Sequence, residues 1–144
     1  MTAEAHASQS PYVIRAGRLS DIPFVESSWC MSASHSSDPD ARKAGYHAAV
    51  KERARAIFLR PGTLTLVACV TGDEDAILGW ACMGPAVAHY CYVRRAARRQ
   101  GIARALFAMG GLADPSVVPV VAYTSRPLYR GMSLPAHWTF NPNL

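Results

Sequence analysis

The sequence predicts an α+β domain, and three observations predict it. At 144 residues, half of them apolar and 17% charged, the chain is long enough for one domain around a real core. It is not comfortably long enough for two; a domain of this length buries roughly 70% of the surface its unfolded chain exposes. The apolar period changes along the chain, from helical in the flanking segments to alternating in the middle. Turn and breaker residues separate those blocks, at 60–62, 71–75, 84–85 and 110–111.

Residues 1–10 carry no periodicity and read as a flexible tail, leaving 11–144 as the domain. Tyr12 to Arg15 reads as a short strand closed by Ala16-Gly17. Ser20-Asp21 marks a helix start, with Pro23 tolerated in the first turn because its missing N–H has no partner there. Ile22, Val25 and Trp29 form an apolar stripe that carries this helix to about Met31. Ser32 to Asp40 reads as a polar loop, with Asp38 or Asp40 capping a second helix whose stripe is Tyr46, Val50, Ala54 and Ile57. Arg60-Pro61-Gly62 ends it. Thr63 to Val70 is a strand apolar on both faces, Thr71 to Asp75 a hairpin turn, and Ala76 to Met83 the returning strand. Gly84-Pro85 breaks that strand. A third follows from Ala86 to Val93, with Tyr90 and Tyr92 on one face and Val87, His89, Cys91 and Val93 on the other. Ile102, Ala105, Leu106 and Met109 then place a helix from about Gly101 to the Gly110-Gly111 stop. Val117 to Tyr123 is a last clear strand in which Pro119 demands a bulge or an edge position, and His137 to Phe140 is extended.

Several classes fall away. No run approaches the about 18 apolar residues of a membrane span, and Met1 to Pro11 lacks the basic start and apolar stretch of a secretory signal. Cys30, Cys69, Cys82 and Cys91 show no CxxC spacing, which argues against a disulfide framework or a structural zinc. No metal site is expected, and reduced thiols point to a cytoplasmic protein. The net charge is +5, and the fifteen basic residues are thirteen Arg and two Lys. An arginine excess means either planar recognition of phosphate or carboxylate or a coding bias. Five of the thirteen fall between Arg94 and Arg104, around one helix start, which gives that cluster a ligand to explain it.

That segment carries the chemistry. A helix N-terminus offers unpaired N–H groups and the positive end of a dipole. Small residues at Gly101 and Ala103 let an anion approach the backbone, and Arg94, Arg95, Arg98, Arg99 and Arg104 add charge. Neither GxGxxG nor GxxxxGK[ST] is present. Arg98-Arg99-Gln100-Gly101-Ile102-Ala103 instead resembles the (R/Q)xxGx(G/A) signature of the GNAT (GCN5-related N-acetyltransferase) superfamily. Cys91-Tyr92-Val93 resembles the strand ahead of it, and the order of elements from Tyr12 to Met132 is similar, with a hairpin containing Leu78-Gly79-Trp80-Ala81.

The resemblance implies an α/β/α sandwich with a mostly antiparallel central sheet and a shortened C-terminal region, and acetyl-coenzyme A as cofactor. It implies a pyrophosphate on the backbone of Arg99, Gln100, Gly101, Ile102 and Ala103, with Arg94, Arg98 and Arg104 nearby, and a pantetheine arm pairing with the backbone at Tyr92 and Val93. It implies direct attack by an amine, which needs a base for the amine and an acid for the leaving thiolate. Leu128-Tyr129-Arg130-Gly131-Met132 resembles the family's acid-bearing segment, which makes Tyr129 the candidate acid, core packing being the alternative. The signature strand has no carboxylate. His89 is the candidate base, against a buried core histidine or a water relay. Trp138 and the stretch from Ile14 to Trp29 are also similar to small GNAT-like phage proteins.

The expected partners are an acyl-coenzyme A and an amine acceptor, small molecule or protein. The short C-terminal side leaves room for a homodimer that completes the acceptor pocket. The rival readings are a nucleic-acid-modifying enzyme of the same fold, its binding falling steeply with salt, and a non-catalytic interaction protein with a blocked cleft.

Overall fold

The computed structural model describes residues 10–34, 43–124 and 134–144. One six-stranded sheet runs in chain order: β1 (Tyr12–Ala16), β2 (Leu64–Val70), β3 (Asp73–Gly84), β4 (Val87–Val93), β5 (Val121–Tyr123) and β6 (Trp138–Phe140). Strands β1 to β4 are antiparallel neighbours, while β5 and β6 add in parallel. Only two residues separate Val70 from its partner Asp73, and Gly72 there takes φ +87°, a left-handed conformation that favours glycine.

Three helices complete the sandwich. α1 (Ile22–Ser34) and α2 (Tyr46–Leu59) cover one face, and α3 (Ile102–Met109) the other. Because β2 and β3 are covered on both sides, their inner residues are apolar on both faces, as the sequence predicts. On the α3 side Leu66, Ala68, Ala81 and Met83 meet Ile102 and Leu106. On the other, Val67, Ile77 and Trp80 meet Val25, Trp29, Ala54 and Ile57. Aromatic rings dominate that second layer. Tyr90 stacks on Trp29 at 4.6 Å between centroids, and Trp80 lies 5.4 Å from Trp29. The buried Trp80 indole donates to Ser28 Oγ at 2.8 Å, and Ser28 Oγ donates on to the Phe24 carbonyl.

Several boundaries differ from the sequence reading, each for a local reason. α1 continues through Ser32 to Ser34, where a loop is expected. Ser32 Oγ bonds both the Trp29 carbonyl and the Tyr90 hydroxyl, so this serine is satisfied without leaving the helix. Ser20-Asp21 is not a simple cap: Leu19–Asp21 form a 3-10 turn ahead of α1, and the Asp21 carboxylate is buried against Arg15. The residue capping α2 is Gly45, at φ +80°, while Asp38 and Asp40 lie outside the described residues. The hairpin turn shrinks to Thr71-Gly72 because β3 already starts at Asp73. β5 starts at Val121 rather than Val117: the Val117 and Val118 amides both donate to the Asp114 carbonyl, a turn that leaves Pro119 outside the strand.

Strand β6 closes the α3 side as expected. Trp138 packs edge-on against Phe107 at 4.9 Å and donates to the Leu112 carbonyl at 3.0 Å.

Candidate functional site

The site begins where β4 and β5 part. They pair only at Val87 with Ala122 and Ala88 with Tyr123, at the start of β4. Past that point the two described strands do not pair, and the last bond across is from Thr124 Oγ1 to the His89 carbonyl, 2.9 Å. The separation has a cause in the register. Cys82 opposes Tyr90 and Met83 opposes Ala88, so β4 carries one extra residue, a β-bulge at His89-Tyr90.

The bulge also corrects the face assignment. Ala88, Cys91 and Val93 pack on the α3 side, whereas Tyr90 and Tyr92 pack on the α1–α2 side. His89 joins the second group. Its ring borders a cavity with Arg60 and Thr63, away from Cys91 and Val93. Strict alternation along Ala86 to Val93 is therefore broken at one residue, and the side chains before and after it change partners.

Beyond the vertex, no described residue pairs with the free side of β4. The Arg94 amide donates across to Leu78 of β3 at 2.8 Å. Alternation then turns the backbone of Tyr92 toward β3 and that of Cys91 and Val93 into the gap. Of the two strand residues named from the sequence, Tyr92 turns its backbone groups to β3, and Val93 shares the gap side with Cys91. Arg98 donates Nε to the Val93 carbonyl at 2.9 Å, which ties the following loop to the strand end. Arg98 is a positioning residue here.

The loop from Arg94 folds through a 3-10 turn, Arg95–Ala97, with Ala97 buried as its anchor. It then takes two left-handed positions, Arg99 at φ +66° and Gly101 at φ +77°. A non-glycine residue held there stores strain of order 1 kcal/mol. Gly101 caps α3, and a Cβ built on it meets no atom within 4 Å. That open space leaves the first-turn amides accessible to an anion. Ile102 is buried and offers only its N–H, Ala103 is half-buried, and Arg94, Arg95, Arg99, Gln100 and Arg104 are exposed around the same helix start.

Two groups stand apart. His89 lies at the vertex, not at the helix start. Burial, then the charges of Arg60 and Arg53, lower its pKa from the usual imidazole range, which favours the neutral ring. Tyr129 lies outside the described residues. The thiols on these strands are inert: burial raises Cys82 to about 11 and Cys91 to about 12. Sequence reading missed Thr124 and the α2 arginines near His89, since nothing in their local sequence links them to β4.

No helix among the described residues is long and apolar enough to cross a membrane. No protein-family model and no curated protein matches the chain. Solved structures do. A GCN5-related N-acetyltransferase from Rhodopseudomonas palustris is 20% identical, with a TM-score of 0.53 over 72% of this chain and 66% of that one. A putative acetyl transferase from Pyrococcus furiosus is 19% identical, with a TM-score of 0.55 over 69% and 72%. An aminoglycoside N-acetyltransferase in complex with coenzyme A is 12% identical, with a TM-score of 0.50 over 70% and 67%. The chain thus spans about two thirds of the length of these structures. At this identity the likeness establishes the fold, which is that of the GCN5-related N-acetyltransferases.

Proposed function

We propose that this chain transfers an acetyl group from acetyl-coenzyme A to an amine. The observation that carries the reading is the parting of β4 from β5 directly ahead of the left-handed turn at Arg99 and Gly101. A strand edge and a helix N-terminus in series fit a ligand with an amide-bearing arm and a phosphate end. Coenzyme A is such a ligand, and the fold has a member solved in complex with it.

The residues take these roles. The backbone of Cys91 and Val93 pairs with the amides of the extended arm. The amides of Gly101, Ile102 and Ala103 hold phosphate oxygens, and Arg94, Arg99 and Arg104 neutralise their charge. Gln100 lies on the rim of the same turn. Acetyl-coenzyme A supplies an activated thioester when bound. The gap beyond the vertex gives an amine access to it. His89, its neutral ring favoured in the folded chain, is the group proposed to accept a proton from an amine arriving on the α2 side. Tyr129 is proposed to protonate the leaving thiolate, on its place in the sequence.

Calorimetric titration tests the binding half. Acetyl-coenzyme A and coenzyme A bind the wild type; Arg99→Glu and Gly101→Trp each weaken binding at least about tenfold, about 1.4 kcal/mol. No binding to the wild type, or binding that survives both changes, overturns the reading. For the chemical half, Tyr129→Phe lowers kcat on the order of a hundredfold with acetyl-coenzyme A affinity unchanged. A shift in affinity with kcat intact assigns Tyr129 to binding instead.

A further inference from the structure

The cavity that His89 borders lies on the α2 side of the vertex, about 250 Å³, lined also by Arg60, Thr63, Gly84, Val87 and Leu144. We propose that it holds a carboxylate, and that the acceptor amine of this chain is a small molecule carrying one. The acceptor assignment rests on the acetyl-transfer reading, and the carboxylate site does not.

The charged side chains around the cavity are of one sign. Arg60 stands at the end of α2, and Arg53 lies seven residues earlier, two turns up the same flank. Both are exposed, and both act on His89 through space. Arg15, Arg18 and Arg55 each hold an acid: Asp21, Glu74 and Glu26. Among the described residues Arg53 and Arg60 form no such pair, and no acidic side chain borders the cavity. An anion seated at the cavity would offset the two guanidinium charges and favour the protonated form of His89. A guanidinium presents a flat fork that a carboxylate fits with two parallel hydrogen bonds. Thr63 adds a hydroxyl, and Val87 and Leu144 give apolar walls for a short methylene stem.

The position links this cavity to the reaction. His89 borders it with its ring and marks the β4–β5 vertex with its carbonyl. An acceptor anchored by its acid at Arg60 therefore reaches the vertex past the proposed base. The volume suits a short aliphatic chain.

The His89 ring resonance, assigned with His89→Gln, reports occupancy without any turnover. Glutarate, an acid with no amine, is expected to raise the His89 pKa saturably, because a bound anion offsets the arginines. Butylamine should leave it unmoved. Arg60→Gln, a change at an exposed position, should weaken the glutarate effect at least tenfold. In a thiol-release assay γ-aminobutyrate should outrun butylamine, with Arg60→Gln raising its KM at least tenfold and leaving acetyl-coenzyme A affinity unaltered. No saturable response to glutarate, or one equal in Arg60→Gln, overturns the carboxylate site, whatever acetyl-coenzyme A does. Tighter response to inorganic phosphate than to glutarate overturns the choice of carboxylate. A glutarate response in a chain that does not bind acetyl-coenzyme A upholds the site and overturns the acceptor assignment.

Discussion

Replacing Gly79 by alanine is expected to lower stability by about 2–3 kcal/mol and to weaken acetyl-coenzyme A binding at the same time. Gly79 lies in β3 opposite Val93, and a Cβ there would sit 2.7 Å from the Tyr92 carbonyl oxygen and 3.2 Å from the Val93 Cα. Both are backbone atoms, so no side chain can swing away to relieve the contact. The two strands must separate at the residues that turn the open edge into the gap. Gly84 is the matched control. Its added Cβ would meet only His89 Nε2, at 3.6 Å, an ordinary contact. Gly84→Ala should stay within about 1 kcal/mol of the wild type. Thermal unfolding and calorimetry on both variants check this. Equal stability for the two would show that β3 accommodates the methyl group by sliding, and that the close approach is not needed.

Asp21→Asn is expected to destabilise the chain by about 3 kcal/mol, read as a fall in Tm of roughly 10 °C. Asp21 is 5% exposed. It receives both Arg15 terminal nitrogens, at 2.7 and 2.9 Å, and the Arg18 amide at 2.7 Å. Arg15 also donates to the Glu74 carbonyl at 2.9 Å, so this cluster joins β1, the start of α1 and β3. The amide keeps the shape and removes the charge, stranding a partly buried guanidinium. Burial pulls the Asp21 pKa upward, but the bonds from Arg15 and Arg18 outweigh it and the net shift is below 3.8. A depressed carboxyl stabilises the fold above the unfolded pKa, and that stability drains away as pH falls through the folded value. Wild-type Tm should therefore drop below about pH 4, with Asp21→Asn showing a smaller drop over that range. Parallel Tm–pH curves for the two would assign acid unfolding to other carboxylates.

The layers are legible in the periodicity of the sequence. The double-sided apolar run of 64–70 demanded cover on two faces, and the stripes of α1, α2 and α3 provided it. The signature from Arg98 to Ala103 located the helix start, and Gly101 takes the left-handed conformation that a short turn into a helix needs. What stayed hidden depends on partners distant in sequence. An extra residue in a strand leaves no local mark; only the pairing of Cys82 with Tyr90 and Met83 with Ala88 reveals it, and it moved His89 to the opposite face. Ser32 looked like loop because its hydroxyl partner, Tyr90, is 58 residues away. Arg60 reads only as part of the stop that ends α2, since nothing in the local sequence announces that it shares a cavity with His89 of β4. Pro119 was a legible warning about β5, and the strand begins only after it.

The side of β4 that no described residue pairs is a liability. Backbone groups turned into a gap are a template on which any extended segment of another molecule can add, the first step toward ordered aggregation. Its short length, two residues between a bulge and a capped carbonyl, limits how many rungs such an intruder can form. A ligand lying along the same edge, as proposed for the arm of acetyl-coenzyme A, would compete with that intruder and so guard the fold's solubility.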